Sequence, residues 1–258
     1  MTARGPDIGL AVVRMGNGPS TLVTVTRDHV LLRTPSRPDF WDGNLIQVLS
    51  QPDDLRPWVK RFEASIGALP GVQRIRILWP ADELDGPAPD GVEELNLVLN
   101  PMRLSVLDTL ADIAPADIEL VTATTDAHWH AHSVLARHDV PEVPHEFWAW
   151  RSGEVRAICE HGHGTVWLAR KAGLPVGRVT LLCDGMGLAA VDDVVTHPVY
   201  RRAGVATTLV HHAIRVHLAE HAEDAVVLLA DPFSAAERLY GRLGFVPGPA
   251  IVQADRPR

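Results

Sequence analysis

Apolar positions along the 258-residue chain recur with two periods, and the points where one gives way to the other mark the elements. In the first half, TLVTVT (21–26) and HVLLRT (29–34) alternate or run β-branched and read as strands. PDDLRPWVKRFEASIGALPG (52–71) has helical spacing, with Leu55, Trp58, Val59, Phe62 and Ile66 on one face. VQRIRILWP (72–80) is a further strand, its Val72, Ile75 and Ile77 only partly alternating. PDFWDGNLIQV (38–48) is an aromatic turn leading into another.

The second half is more regular. IELVTATT (118–125) predicts a strand, and two helices follow over 127–139 and 144–161, joined around Pro141 and Pro144. GTVWLARK and PVGRVTLL form a hairpin across AGLP. MGLAAVDDVVTHP is a long strand ending at Pro198. An amphipathic helix comes next, with Val205, Leu209, Ala213 and Val216 as its stripe. AVVLLA is a buried strand, PFSAAERLYGRLGF a helix closing at Gly244, and PGPAIVQ a short last strand. The order is β-α-α-β-β-β-α-β-α-β. ADELDGPAPDG (81–91) reads as a loop, while VEELNLVLN after it still looks strand-like. DIAPAD (112–117) is a second break. The expected boundary is at residue 116, giving domains 1–116 and 117–258.

Composition narrows the class. With 46% hydrophobic and 22% charged residues, the chain has the make-up of a globular protein. A net charge of -8 argues against a nucleic-acid partner, which leaves a basic stripe. No apolar run has the length of a membrane span or a signal-peptide core, and Cys159 and Cys183 lack motif spacing. The expectation is a reduced, cytoplasmic protein without a membrane partner.

Against that acidic background, THPVYRRAGVATTLVHHA (196–213) places two arginines and a glycine between a strand and a helix. A helix N-terminus presents unpaired N–H groups and a partial positive charge. Glycine admits a close backbone approach, so the N–H groups can cradle phosphate oxygens. Arg201 and Arg202 add charge-assisted donors. A pyrophosphate-bearing ligand suits such a turn; the bland alternative is a connection whose arginines face water.

Two segments together carry a family likeness. Arg201-Arg202-Ala203-Gly204-Val205-Ala206 follows the pattern Q/R-x-x-G-x-G/A. In the later helix, Ala236, Leu239, Tyr240, Gly244 and Phe245 follow A-x-x-L-Y-x-x-x-G-F. On these, residues 118 to 258 resemble the GNAT superfamily of acetyl-coenzyme A-dependent N-acetyltransferases. The resemblance implies an α+β GNAT fold, a mixed central sheet flanked by helices. Residues 1–116 would be a second, smaller α/β domain, a degenerate GNAT-like or accessory half as in tandem acetyltransferases.

Carried over, the resemblance puts the pantetheine arm against Val194, Val195 and Thr196, and the pyrophosphate on the turn from Arg201 to Ala206. Acetyl-CoA is then a cosubstrate, and a small-molecule or peptide amine attacks it directly. Tyr240 matches the position of the general acid that protonates the departing thiolate. Asp192 and Asp193 are the candidate bases, sent to opposite faces by strand alternation, with Asp192 favoured and His197 a weaker option. For each aspartate, a solvated or salt-bridged carboxylate is the plain alternative. Where many relatives carry Asn before the second-signature helix, this chain has Phe233, with Asp231 or Ser234 at hand as substitutes. That departure supports a rival reading, a non-catalytic protein binding coenzyme A thioesters as regulator or scaffold. A homodimer is compatible with either.

Other features point less far. GMGLAA (185–190) fits a dinucleotide fingerprint by spelling, but a strand rather than a helix follows it. His128, His130 and His132, with HGHG at 161–164, lack a completing ligand, so no metal is expected. Phe147, Trp148 and Trp150 could line an acceptor pocket or lie in the core.

Overall fold

A computed structural model describes residues 7–138, 140 and 142–257; Pro141, expected at the joint between two helices, lies outside them. Packing groups the chain into two units that interleave in sequence. One comprises residues 1–105, 229–234 and 247–258, the other 106–228 and 235–246. No helix is long and apolar enough to cross a membrane among the described residues.

The first unit opens with α1 (Asp7–Met15), which the sequence reading did not identify, and continues through β1 (Leu22–Val25), β2 (His29–Arg33), β3 (Leu45–Val48), α2 (Arg56–Ser65), β4 (Arg74–Ala81) and β5 (Val98–Leu107). Its strand order is β1-β2-β3-β4-β11-β5, where β11 is Phe245–Pro257. Strand alternation divides its core. Ile46, Ile75, Ile77 and Trp79 meet the expected face of α2, on which Leu55, Phe62 and Ile66 are fully buried. Leu45 and Leu78 point the other way, onto Leu10 of α1. The last strand is longer than its sequence suggested: 13 residues, antiparallel to β4 from Ala250↔Ala81 to Pro257↔Arg74.

The second unit follows the expected order, with β6 (Glu119–Thr122), α3 (Asp126–Arg137), α4 (His145–Glu160), β7 (Gly164–Lys171), β8 (Leu174–Cys183), β9 (Leu188–Thr196), α5 (Val205–Glu220), β10 (Ala225–Ala230) and α6 (Ala235–Arg242). Its strands lie in the order β10-β9-β8-β7-β6. The pair β9–β10 is parallel, while the other three pairs are antiparallel. The hairpin between β7 and β8 turns on Ala172 (φ 50) and Gly173 (φ 78), two left-handed residues as a type I′ turn requires.

Helices pack on opposite faces of β8. From Arg178 the strand reaches α3, bonding the His132 carbonyl. From Gly177 it meets α5, where a Cβ would come within 2.8 Å of Val205 Cγ1 and 2.9 Å of the Val195 carbonyl. Glycine there lets the first turn of α5 close onto the strand. Val205, Leu209 and Ala213 are buried as their spacing predicts, whereas Val216 is 36% exposed near the end of the helix. A buried leucine such as Leu209 contributes about 1.5–3 kcal/mol.

Candidate functional site: the strand-turn-helix at residues 192–207

The turn between β9 and α5 is built from a 3-10 segment, Pro198–Tyr200, followed by residues 201–204. His197 caps it, its Nδ1 accepting the Val199 N–H at 3.3 Å. Arg202 (φ 66) and Gly204 (φ 78) both take the left-handed conformation. Alternation of that kind curls successive N–H groups toward one side as an anion-binding concavity. The Arg201 amide still donates to the Pro198 carbonyl at 3.2 Å, and the next amide with an acceptor inside the protein is Thr208, which donates to the Gly204 carbonyl at 3.0 Å. Among the described residues, no protein group accepts from the amides of residues 202–207.

Residues 201–204 are exposed, and Val205 is buried as the anchor of the helix. Space above Gly204 is open, since a Cβ there would meet only Ala116 Cβ, at 3.5 Å. Arg201 curls back, its Nε donating to the Thr196 carbonyl at 3.3 Å. Open backbone donors and a helix N-terminus therefore stand together at this turn, with two arginines in the same exposed stretch. That is the donor set a pyrophosphate requires.

The strand leading into this turn is only half paired at its far end. The parallel register of β9 with β10 runs from Leu188↔Ala225 to Val191↔Leu228 and goes no further. From Asp192 to Thr196 the strand is registered with β8 alone, and that ladder shifts between Arg178 and Thr180. Arg178 faces Val195 and Thr180 faces Asp192, so β9 carries an extra residue there. Asp193 takes up the distortion at φ 51.

This bulge corrects the expectation that the two aspartates point to opposite faces. Arg178 and Thr180, two apart on β8, share a face, and directly opposed residues share one too. Asp192 therefore lies on the α3 side, and Asp193 is there as well, since it reaches both Arg178 and His132 of α3. Strand alternation holds only in an unbulged strand.

Asp193 accepts from Arg178 Nη2 at 2.6 Å, and His132 Nε2 lies 3.1 Å from its other oxygen. The His132 contact is an ion-pair distance without good hydrogen-bond alignment. Burial pushes the carboxyl upward, but the Arg178 charge and the His132 contact outweigh it and hold Asp193 below the usual carboxylate range. Burial, with the adjacent Arg178, lowers the pKa of His132. Asp192, opposite Thr180, is partly buried.

Tyr240 lies on α6 and is 9% exposed, its ring edge-on to Phe245 at 5.9 Å. Burial, and then the charge of Asp192, push the phenol up to about 12. It stays protonated across the neutral range, as a proton donor must. Phe233, where the resemblance leads to an asparagine, is 79% exposed at φ 61.

The remaining candidates resolve into local roles. His128 Nδ1 accepts the Thr124 amide at 3.3 Å, and His161 packs its Nδ1 on the Ala157 carbonyl at 2.7 Å. Phe147, Trp148 and Trp150 form one half-buried aromatic group, with ring centroids 5.1 and 5.8 Å apart. Arg178 is not among the residues the sequence singles out, and His132 is weighed there only as a metal ligand. The signal was present: an arginine within VGRVTLL, an otherwise apolar buried strand, demands a carboxylate on a neighbouring element.

Residues 162–247 match the family model of the acetyltransferase (GNAT) domain. No curated protein matches the chain. Among solved structures, the chain is similar to a functionally unknown conserved protein from Staphylococcus epidermidis ATCC 12228 (16% identity, TM-score 0.69, 90% of this chain and 92% of that one). It is also similar to a GCN5-related N-acetyltransferase from Kribbella flavida (18%, 0.63, 98% and 94%). A third is a tandem GNAT protein from the clavulanic acid biosynthesis pathway (16%, 0.59, 95% and 87%). These likenesses extend over nearly the whole chain and show its fold: a mixed sheet flanked by helices, as in GNAT proteins.

Proposed function

We propose that this chain, which carries a GNAT-superfamily domain, is an acyltransferase that moves acetyl from acetyl-CoA to a primary amine by direct attack. The observation that carries the reading is the set of open amides over residues 202–207, flanked by Arg201 and Arg202 and following a strand that leaves its β10 partner at Val191. In this reading the amides from Arg202 to Ala206 hold the pyrophosphate. The unpaired edge of β9 around Val194, Val195 and Thr196 takes the pantetheine amides, as an added strand would.

Acetyl-CoA supplies the thioester. The side chains have two proton transfers to perform. An acceptor ammonium must lose a proton before its nitrogen can attack, and Asp192 takes it, directly or through water. The C–N bond then forms, the C–S bond breaks, and Tyr240 gives its proton to the departing thiolate; the second proton shed by the acylated nitrogen passes to solvent, from which the phenolate is reprotonated. Raised to about 12, Tyr240 keeps that proton at every pH below the range where it ionises. This role therefore causes no loss of rate through neutral pH.

Phe233 favours a second reading, in which the fold binds coenzyme A thioesters without turning them over. Calorimetry with acetyl-CoA on the full chain tests both readings at once; no binding sinks both. Thiol release across an amine panel then separates them. In Tyr240→Phe we expect kcat to fall by about 100-fold or more with acetyl-CoA affinity unchanged. Full activity in that variant removes Tyr240 from the mechanism.

A further inference from the structure

One buried polar chain in the second unit has no part in the proton transfers. Arg178 is 2% exposed, in the middle of β8. A guanidinium at that depth requires compensation. It finds two acceptors, the Asp193 carboxylate at 2.6 Å and the His132 carbonyl. His132, also 2% exposed, faces the second Asp193 oxygen at 3.1 Å. Its Nδ1 lies 2.9 Å from the Ser152 hydroxyl of α4, itself 3.0 Å from the Trp129 carbonyl.

Four elements thus meet through one set of polar contacts: β8, β9, α3 and α4. They converge on Asp193, the residue that holds φ 51 at the bulge. A non-glycine residue keeps that conformation only when its surroundings over-determine it. Beyond that residue β9 runs on to Val194, Val195 and Thr196 without a β10 partner, and just before it Asp192 turns toward the α3 side.

We propose that Arg178, His132 and Asp193 are positioning residues that lock the β9 bulge, and that Asp193 is not the proton acceptor. One oxygen of Asp193 accepts from the Arg178 guanidinium at 2.6 Å and the other lies 3.1 Å from the His132 ring, so the carboxylate is taken up by its neighbours rather than offered to an incoming ammonium. Holding the bulge fixes two things: the direction of Asp192, and the edge of β9 that continues into the 198–204 turn. The kinetic consequences rest on the acetyl-transfer reading, whereas the structural consequence does not.

The test uses the full-length chain and three readouts: amide hydrogen exchange resolved along β9 and β10, calorimetric acetyl-CoA affinity, and the pH profile of kcat. In Asp193→Asn we expect exchange at residues 192–196 to quicken by about tenfold or more while residues 226–228 keep their protection. Acetyl-CoA affinity should weaken by about tenfold, and the residual activity should keep the acidic limb of its pH profile. Because this variant strands Arg178 without its carboxylate, a second one, Arg178→Met with Asp193→Asn, removes the buried charge as well; the same local loosening is expected in it.

Loss of turnover with wild-type exchange and affinity would make Asp193 the base and overturn the proposal. Exchange that quickens uniformly across the unit, or wild-type exchange and affinity in the double variant, would overturn it too. If the unmodified chain binds no acetyl-CoA, the acetyl-transfer reading fails by itself, and the exchange pattern alone still decides whether these three residues hold the bulge.

Discussion

Residues 48–59 and 196–208 follow one local plan, a strand that runs through a turn into a helix, and they differ in what meets the first turn of the helix. Before α5 the turn is Arg-Arg-Ala-Gly, and the amides of residues 202–207 have no acceptor among the described residues. Before α2 the corresponding stretch is Gln-Pro-Asp-Asp-Leu. There Asp54 accepts from the Arg56 amide at 2.9 Å and from the Arg56 guanidinium at 2.9 Å. Pro57 has no N–H to offer, and Val59 bonds the Leu55 carbonyl. One helix N-terminus is open and flanked by cations; at the other a carboxylate takes the first amide and a proline withholds the second, with Asp53, Asp90 and Glu94 nearby in the loops. The same dipole that invites an anion at α5 is already answered at α2. A strand-turn-helix plan can thus recur while the chemistry of its corner does not, because capping decides whether the donors remain available to a ligand.

The comparison breaks most sharply at Gly204. Replacing it with glutamate puts a side chain into the open space above the turn and a negative charge where the proposed function places the phosphates. Like charges brought together cost several kcal/mol, on the order of 100-fold or more in acetyl-CoA Kd. The fold should survive, since the local clash is small and the left-handed conformation costs a non-glycine residue about 1–2 kcal/mol. Calorimetry together with a thermal melt checks this. Wild-type affinity in Gly204→Glu would show that the ligand does not use this corner.

A smaller effect is expected from the flanking cations. Arg201→Ala with Arg202→Ala leaves the backbone donors in place and removes two exposed charges, so acetyl-CoA affinity should weaken by about tenfold while its dependence on salt flattens. Titrations at low and high ionic strength measure both. An unchanged salt slope would return the arginines to the plain role of facing water.

How much of this could be read beforehand follows from how far each signal reaches along the chain. The α5 turn was legible because its information is local: glycine, two arginines and a helical stripe lie within about twenty residues. The faces of α2 and α5 were legible for the same reason, since helix periodicity survives most tertiary contexts. The β9 bulge was not, because the extra residue is defined only against β8, and nothing in VDDVVT marks which aspartate carries the distortion. Nor was the reach of β11, which pairs with β4 across Pro257↔Arg74. Its Pro and Gly residues suggested a short strand, and its partner lies in the other half of the sequence. The helix at residues 7–15 is illegible in sequence for a different reason. DIGLAVVRM is short, and its burial depends on Val30, Leu32 and Ile251, none of which is near it in sequence.

The smallest expected effect sharpens the comparison from the closed side. Asp54→Ala removes the group that answers the Arg56 amide, while Asp53 and Pro57 stay in place. Loss of a helix cap of this kind lowers the thermal midpoint by about 2–4 °C in a chain of this size. Acetyl-CoA affinity should not change at all, because Pro57 still withholds one donor and no glycine opens the turn. Should Asp54→Ala instead create a second acetyl-CoA site, seen as a stoichiometry above one in calorimetry, capping by Asp54 alone would be what silences the corner. With the stoichiometry unchanged, the difference between the two corners lies in the backbone itself: two left-handed residues at Arg202 and Gly204 that the Asp53–Leu55 turn does not have.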